Sequence, residues 1–297
     1  MAEKALSFGY AGNFQTSPNP LQKNPVVLYW ILWKTGAARG RAPPSGRYIE
    51  GKVRFCAMDT IKLDSGRAKM IAHRGLSGLE QENTCAAFVA AGNRAKYFGI
   101  ETDVHKTADG RFVVFHDDDT ARVGLDRLVV EHTTLQTLRA LQLTDLDGAR
   151  GRADLVIPTL EEYIGICKRY EKVCVCELKN EFAPEDVYRI AETYRELDYL
   201  DRVVFISFCA ANLTALRRRF PSVPAQFLLK EWSPDDLAFL RDNNLGLDIR
   251  HTAVTAGVVE AVHGIGQEVN CWTVNTLEEA GAVLAAGVDY ITTNILE

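Results

Sequence analysis

The chain from Lys69 onward alternates short apolar runs with longer segments whose apolar residues recur at helical spacing. The short runs are typical of β-strands and lie at residues 70–73, 100–104, 173–178, 203–207, 225–229, 245–249, 269–274 and 290–292. The longer segments predict helices at residues 84–94, 160–170, 184–197, 211–220, 235–243, 256–265 and 277–286. Because strands separated by helices run parallel, this order predicts an α/β fold with a parallel sheet.

The number of predicted strands distinguishes between two parallel architectures. Eight strands in a stretch of this length match a closed (β/α)8 barrel of the TIM type. An open doubly wound sheet is the alternative, but no glycine-rich dinucleotide-binding loop follows the first strand. In a barrel the chemistry lies where strands end and loops begin, so the polar residues at those ends form the candidate site.

Charged residues stand at the ends of the first two predicted strands. The first strand ends in His73 and Arg74, followed by Gly75, which lets the loop turn sharply. The second ends in Glu101 and Asp103, which point to the same face because strand residues alternate. Two carboxylates that point into a barrel mouth are costly unless a cation or hydrogen bonds offset their charge. Their oxygens suit a hard cation such as Mg²⁺ or Ca²⁺. The competing interpretation is a pair of solvated surface acids.

The chain after Asp103 predicts a β-hairpin rather than a helix. Asp109 and Gly110 stand between two extended segments, which is a strong hairpin signal. With these two as the turn residues, the pairing register places His116 opposite Asp103. The hairpin would thus return a histidine to the acids, although one additional loop residue would shift the pairing by one position.

A third acid ends the next parallel strand. Glu177 is followed by Lys179 on the same face of the strand. Glu101, Asp103 and Glu177 would then come from neighbouring strands and form a three-carboxylate metal site. Lys179 could hold a phosphate oxygen or pair internally with Glu177, and the sequence leaves both interpretations open.

Composition limits the classes of partner. The chain has 297 residues, 47% of them hydrophobic, and a formal net charge of −5. A chain of this length buries a full-sized core, whereas its net negative charge argues against nucleic acid or anionic membranes as general partners. We therefore expect a small-molecule substrate and no nucleic acid, and the oligomeric state stays open.

The first 68 residues differ from the rest of the chain. They carry ten Lys or Arg against four Asp or Glu, and they show no sustained apolar period. Their apolar run at residues 26–33 is shorter than the roughly 18 residues of a membrane span, and a secretory signal is not recognisable. We predict a poorly structured, non-core extension over residues 1–68 and a barrel domain over residues 69–297. A docking or targeting role, or sequence upstream of a start at Met58, are the alternatives.

The seven cysteines indicate the redox setting. They are odd in number and scattered through apolar segments, which is typical of reduced core thiols and of a cytoplasmic protein. Cys174 and Cys176 would share one strand face rather than form a zinc site.

Seven short motifs follow one another along the chain: Ile71-Ala72-His73-Arg74-Gly75, Glu82-Asn83-Thr84, Glu101-Thr102-Asp103, Phe115-His116-Asp117, Ile157-Pro158-Thr159-Leu160-Glu161-Glu162, Glu177-Leu178-Lys179 and Trp272-Thr273-Val274-Asn275. In their order and spacing, the chain from about Met70 to its C-terminus resembles the glycerophosphodiester phosphodiesterase family. It departs from the family at Thr292-Thr293-Asn294, where members usually have Thr-Asp and a nearby proline. The edge of the pocket should differ accordingly.

The resemblance implies a (β/α)8 barrel that hydrolyses glycerophosphodiesters to sn-glycerol 3-phosphate and an alcohol with one divalent cation, Mg²⁺ or Ca²⁺. It implies that His73 and His116 are the acid/base pair and that the metal ligands are Glu101, Asp103 and Glu177. It further implies phosphate contacts from Arg74 and Lys179, a supporting role for Glu82 and Asn83, and a place for Trp272 on the glycerol side.

Two other functions compete with this interpretation. A lysophospholipase D or a sphingomyelinase-D-like phosphodiesterase would act on lipid substrates, and an apolar rim at the barrel mouth would favour it. A catalytically silent barrel that serves as a binding module is less consistent with the presence of both histidines and all three carboxylates. Four further histidines match no motif and are expected at the surface or behind the site: His105, His132, His251 and His263.

Overall fold

The structure, a computed structural model, describes residues 59–297 together with two short strands upstream of them. These are β1 (Tyr48–Ile49) and β2 (Lys52–Val53), which pair antiparallel. The chain divides into two units after Ala57. The apolar run predicted at residues 26–33 lies outside the described residues.

The second unit alternates strands and helices as the sequence predicts. Its strands are β3 (Lys69–Ala72), β4 (Tyr97–Lys106), β5 (Phe112–Val114), β6 (Val173–Leu178), β7 (Val203–Ser207), β8 (Ala225–Leu229), β9 (Gly246–Arg250), β10 (Val269–Trp272) and β11 (Tyr290–Thr293). Its helices are α1 (Cys85–Gly92), α2 (Leu135–Ala140), α3 (Leu160–Arg169), α4 (Pro184–Glu196), α5 (Ala210–Arg219), α6 (Pro234–Asp242), α7 (Ala256–Gly264) and α8 (Leu277–Ala286). None of the helices in this described part is both long and apolar enough to cross a membrane.

The strands close into a barrel. In hydrogen-bonding order the sheet runs β3, β11, β10, β9, β8, β7, β6, β4, and β3 also pairs with β4. All of these pairings are parallel, whereas β5 adds to β4 antiparallel as the second arm of a hairpin. The predicted (β/α)8 barrel with a hairpin after its second strand is confirmed.

The hairpin register differs from the predicted one. Val104 pairs with Val114, and the Phe115 amide donates to the Asp103 carbonyl, so Phe115 rather than His116 lies opposite Asp103. The reason is a longer loop in which Gly110 takes a left-handed φ of 73° and its amide donates to the Thr107 carbonyl. The predicted pairing of His116 with Asp103 is therefore wrong by one residue.

Side-chain caps set the helix boundaries that the sequence indicated. At the start of α3, the Thr159 hydroxyl accepts from the Glu162 amide while the Glu162 carboxylate accepts from the Thr159 amide. Helix α8 begins with the same arrangement and ends at Gly287, whose φ of 92° suits only a residue without a Cβ. These local signals hold the loops at the barrel ends in place.

The main core lies between the strands and the surrounding helices. It contains large, fully buried aromatic side chains from both layers, including Phe88, Tyr163, Tyr194 and Phe205. The Tyr163 hydroxyl donates to the Ile100 carbonyl at 2.6 Å and so satisfies a buried polar pair. The Tyr194 hydroxyl, in contrast, has no partner stronger than the Cys176 thiol among the described residues.

The segment between β5 and α3 forms a small core of its own. Val113, Phe115, Val130, Leu138 and Ile157 are buried together there. Helix α2, which lies in this segment, was not predicted. It is short and buries only Leu138, so it has no apolar period for a sequence pattern to display.

Backbone hydrogen bonds join residues just before β3 to the last residues of the chain. The Ile61 amide donates to the Ile295 carbonyl at 3.0 Å, and the Leu63 amide donates to the Glu297 carbonyl at 2.7 Å. The division of the chain at residue 68 stays a prediction.

Candidate active site

A sharp turn after β3 places the first two site residues. The His73 amide extends the barrel ladder by donating to the Thr293 carbonyl at 2.8 Å. Arg74 and Gly75 then take left-handed φ values of 55° and 77°. A Cβ on Gly75 would lie 2.6 Å from the carbonyl carbon of Ala87, so only glycine lets this turn pack against α1.

Three buried carboxylates converge at the carboxyl ends of neighbouring strands. Glu101 and Asp103 lie on β4, and Glu177 lies opposite Asp103 on β6. One oxygen of each carboxylate lies within 4.8 Å of the others. The strand ends thus bring together the three acids that the sequence proposed as ligands.

Burial changes the pKa values of two of these acids. Asp103 Oδ1 and Glu177 Oε1 are buried, and among the described residues Lys179 is the only donor that approaches them. Burial, and then the neighbouring Asp103, raise the pKa of Glu177 to about 7 and that of Glu101 well above its usual range. Carboxylate oxygens that face one another this closely are the donor set that a hard cation prefers, so these residues fit a divalent cation.

Two cationic side chains border the acids. Lys179 Nζ lies 3.0 Å from Glu177 Oε1 and 3.3 Å from Asp103 Oδ1, and Arg74 Nε lies 3.4 Å from Asp103 Oδ2. Burial alone would raise the pKa of Asp103, but Lys179 and Arg74 outweigh it and hold that pKa below its usual range. Lys179 pairs with Glu177 and also lines the cavity, and its contact with phosphate stays a prediction.

His73 is held by a residue of the last strand's loop. Its Nδ1 donates to Asn294 Oδ1 at 2.7 Å, and its Nε2 lies 4.0 Å from Glu101 Oε2. Burial, and then the nearby Arg74, lower the pKa of His73 to about 4, so the ring is neutral at pH 7. Asn294 belongs to the segment where the chain departs from the family pattern that it resembles, and this residue orients the His73 imidazole.

His116 lies at one end of a series of hydrogen-bonded, charged side chains. Its Nδ1 donates to Asp117 Oδ1 at 2.6 Å, and Asp117 Oδ2 accepts from Arg122 Nε at 2.6 Å. Arg122 also donates twice to Glu82, at 2.7 and 3.0 Å, and Glu82 accepts from Arg74 at 2.9 Å. Burial lowers the pKa of His116. The sequence did not indicate Arg122, because the residues to which it bonds come together only in the folded chain.

Asn83 supports the acids from behind. Its Nδ2 donates to Asp103 Oδ2 at 2.7 Å, and its Oδ1 accepts from the Thr102 hydroxyl at 2.9 Å. His105, which matches no sequence motif, is buried nearby. Its Nδ1 lies 3.3 Å from Glu131 Oε1, and its Nε2 lies 3.4 Å from the His116 carbonyl oxygen. It therefore lies behind His116 and is not a member of the acid cluster.

One cavity collects most of the predicted site residues. It is lined by His73, Arg74, Glu101, His116, Glu177, Lys179, Ile206, Phe208, Leu228, Asp248, Trp272 and Thr292. The remaining predicted residues, Glu82, Asn83 and Asp103, contact members of this set: Glu82 and Asn83 bond to Arg74, and Asp103 pairs with Lys179.

The far wall of the cavity is aromatic and carries an acid that sequence reasoning missed. Phe208 and Trp272 meet edge to face with ring centroids 5.7 Å apart, and Trp272 Nε1 donates to the Asp248 carbonyl at 3.4 Å. Burial raises the pKa of the Asp248 side chain well above its usual range, and Glu177 adds to the effect. The cavity thus has an ionic half on β3, β4 and β6 and a mixed half on the later strands.

Comparisons with known proteins agree on one family. Residues 73–297 match the model of the glycerophosphoryl diester phosphodiesterase family. A glycerophosphodiester phosphodiesterase of Bacillus altitudinis is 29% identical over 232 residues, which cover 76% of this chain and 94% of that protein. Glycerophosphodiester phosphodiesterase 1 of Bos taurus is 27% identical over 284 residues, and the match covers 81% of this chain and 82% of that protein.

Solved structures share the barrel. A glycerophosphodiester phosphodiesterase from Parabacteroides distasonis is similar with a TM-score of 0.64 and 27% identity, covering 77% of this chain and 93% of that one. An Oleispira antarctica phosphodiesterase was solved in complex with the product sn-glycerol-3-phosphate. It is similar with a TM-score of 0.69 and 24% identity, and the match covers 76% of this chain and 92% of that one. The similarity to the Oleispira protein indicates a shared fold only.

Proposed function

The chain belongs to the glycerophosphoryl diester phosphodiesterase family, and from that premise we propose that it uses two histidines beside a carboxylate-bound divalent cation to release sn-glycerol 3-phosphate and an alcohol. Hydrolysis of glycerophosphodiesters is the activity of the family. The convergence of three buried acids and two imidazoles in and beside one cavity is the observation that carries the proposal. A silent binding module would not need three buried acids so close to one another.

The ionic half of the cavity suits a phosphodiester. Glu101, Asp103 and Glu177 would hold one Mg²⁺ or Ca²⁺, which when bound neutralises phosphate charge and favours charge growth on its oxygens. Arg74 and Lys179 face the same space and would bind the remaining phosphate oxygens. Glu82 and Asn83 hold Arg74 and Asp103 in place for this task.

The histidines supply the proton transfers. In both rings Nδ1 donates to a fixed partner, so the neutral form leaves Nε2 free to exchange a proton. One ring accepts the proton of the glycerol 2-hydroxyl, whose oxygen bonds to phosphorus. As the bond from phosphorus to the alcohol oxygen breaks, the other ring, which begins this step as an imidazolium, gives that oxygen its Nε2 proton and becomes neutral. Water then opens the cyclic phosphodiester with the two roles reversed.

We also propose where in the cell the protein is located. Among the described residues six cysteines are free thiols: Cys85, Cys167, Cys174, Cys176, Cys209 and Cys271. Reduced thiols support a cytoplasmic setting, which we retain as the proposed location. No nucleic acid enters this account.

Activity of purified protein on two substrates tests the proposed function. Glycerophosphocholine and lysophosphatidylcholine would be incubated with Mg²⁺, Ca²⁺ or Mn²⁺, with and without EDTA, while choline and sn-glycerol 3-phosphate are measured. We expect glycerophosphocholine to release sn-glycerol 3-phosphate only with a cation. Preferential release of choline from lysophosphatidylcholine would establish the lipid alternative instead, and hydrolysis of neither would establish the silent one.

Variants of the two histidines test their roles. We expect His73→Ala and His116→Ala each to lower kcat by at least ~10²-fold while the protein stays folded, because each removes a proton carrier. His263→Ala is the matched control, since His263 pairs with Asp289 and is absent from the cavity lining. Activity near wild type in a folded His73 or His116 variant would remove that histidine from the mechanism.

A further inference from the structure

A buried acid on the mixed side of the cavity is unused by the mechanism. Asp248 lies in the middle of β9 with 1% of its surface exposed, and it lines the cavity. Its Oδ1 is buried without a hydrogen-bond partner among the described residues. An unsatisfied buried carboxyl oxygen is costly, so a partner from outside the chain is expected there.

The described chain gives Asp248 no positively charged partner. Within residues 59–297 no lysine, arginine or histidine lies within ion-pair distance of it. It is also absent from the group of acids that could share a metal ion. An uncharged donor from outside the chain can supply the missing hydrogen bond.

The neighbouring side chains leave the same oxygen free. Asp248 lies between Leu228 of β8 and Asn270 of β10. Leu228 has no donor. The Asn270 amide exchanges hydrogen bonds with the Thr292 hydroxyl at 3.0 and 3.1 Å and also lies within hydrogen-bond reach of the Asp248 carboxyl, but Oδ1 of that carboxyl still lacks a partner. Leu228, Ile206 and Trp272 add an apolar lining around it. A small group with carbon atoms and one hydroxyl fits this chemistry.

We propose that Asp248 accepts a hydrogen bond from the terminal hydroxyl of the glycerol moiety and so selects glycerol over alcohols that lack this group. This inference rests on the proposed function, because in it the ionic half of the cavity takes the phosphate and the 2-hydroxyl attacks phosphorus. Only the terminal hydroxyl is then left to find a partner. Asp248 on the opposite half of the same cavity supplies that partner.

Two diesters that differ in one hydroxyl test the inference. The first is glycerophosphocholine, and the second is the phosphocholine diester of 1,2-propanediol, which keeps the attacking hydroxyl but lacks the terminal one. The wild type should prefer the first by at least ~10-fold in kcat/KM, because the analogue leaves Asp248 unpaired. Asp248→Leu, which is close in shape, should abolish the preference by lowering only the first value, whereas Asp248→Asn should retain part of it.

Each other outcome points to a different error. Equal loss on both diesters in a folded Asp248→Leu variant, or a preference that survives it, would overturn the role of Asp248. A fall in Mg²⁺ affinity by calorimetry in Asp248→Asn would assign it to the metal instead. A changed ratio of glycerophosphocholine to glycerophosphoethanolamine turnover would place the leaving alcohol there. If the wild type hydrolyses neither diester, the proposed function fails first.

Discussion

Arg122 offers a test of how the site is held together, because it lies outside the cavity lining but bonds to residues that support it. Its guanidinium joins Asp117, the partner of His116, to Glu82, the partner of Arg74. Its side chain is 46% exposed, so solvent screens these pairs and Arg122→Ala should change the free energy of unfolding by no more than about 1 kcal/mol. Stability and activity should therefore separate in this variant.

The activity of Arg122→Ala should fall much more than its stability. Without Arg122, Asp117 loses the donor that fixes it, and the His116 ring is no longer held for proton transfer. Loss of such supporting contacts typically costs about 10- to 100-fold in activity. We expect the loss in kcat, with KM nearly unchanged, since Arg74 keeps its own bond to Glu82. Steady-state kinetics and urea unfolding measure the two effects.

A neighbouring ion pair supplies the control for Arg122. Arg127 donates to Asp119 at 2.9 Å in the same segment, and its side chain is 76% exposed. Arg127→Ala should leave both activity and stability near wild type. Arg122→Lys should recover only part of the activity, because an ammonium cannot bridge two carboxylates with the geometry of a guanidinium. Equal kcat values for Arg122→Ala and Arg127→Ala would refute the positioning role.

Three further predictions concern the fold and the acids. Gly75→Ala should destabilise the protein by at least ~2 kcal/mol more than Gly266→Ala in urea unfolding, because both glycines have positive φ but only Gly75 lacks room for a Cβ. Tyr163→Phe should cost about 1–3 kcal/mol by removing a buried hydrogen bond, whereas Tyr194→Phe should be neutral or stabilising; equal costs would contradict this account of the two hydroxyls. Glu177→Gln should weaken calorimetric Mg²⁺ or Ca²⁺ binding by at least ~10-fold, and unchanged affinity would remove Glu177 from the ligands.

The sequence predicted the barrel well because its signals are local. Buried parallel strands read as continuous apolar runs, and three predicted ranges, 173–178, 203–207 and 225–229, coincide with the observed strands. Strand β4 is longer than predicted and spans Tyr97–Lys106, because the hairpin continues its pairing beyond the barrel. The hairpin register failed because Asp109 and Gly110 belong to a longer loop than the two-residue turn they suggested.

The site was predictable where several strand ends converge and unpredictable where contacts depend on the loops. Glu101, Asp103 and Glu177 meet because parallel strand ends share one rim, which spacing alone could indicate. Asn294 was seen only as a departure from a family pattern, although it holds His73. Arg122 carries no signal that distinguishes it from an ordinary surface arginine, since its partners come from two separate segments.

Metal dependence tests the central claim most directly. Protein freed of metal with EDTA and then dialysed would be titrated with Mg²⁺ or Ca²⁺, and the release of sn-glycerol 3-phosphate from glycerophosphocholine would be followed at each concentration. If one cation lies among the three acids, activity should be absent at the start and should saturate along with the binding of a single ion per chain. Full hydrolysis by protein shown to contain no divalent metal would contradict the account.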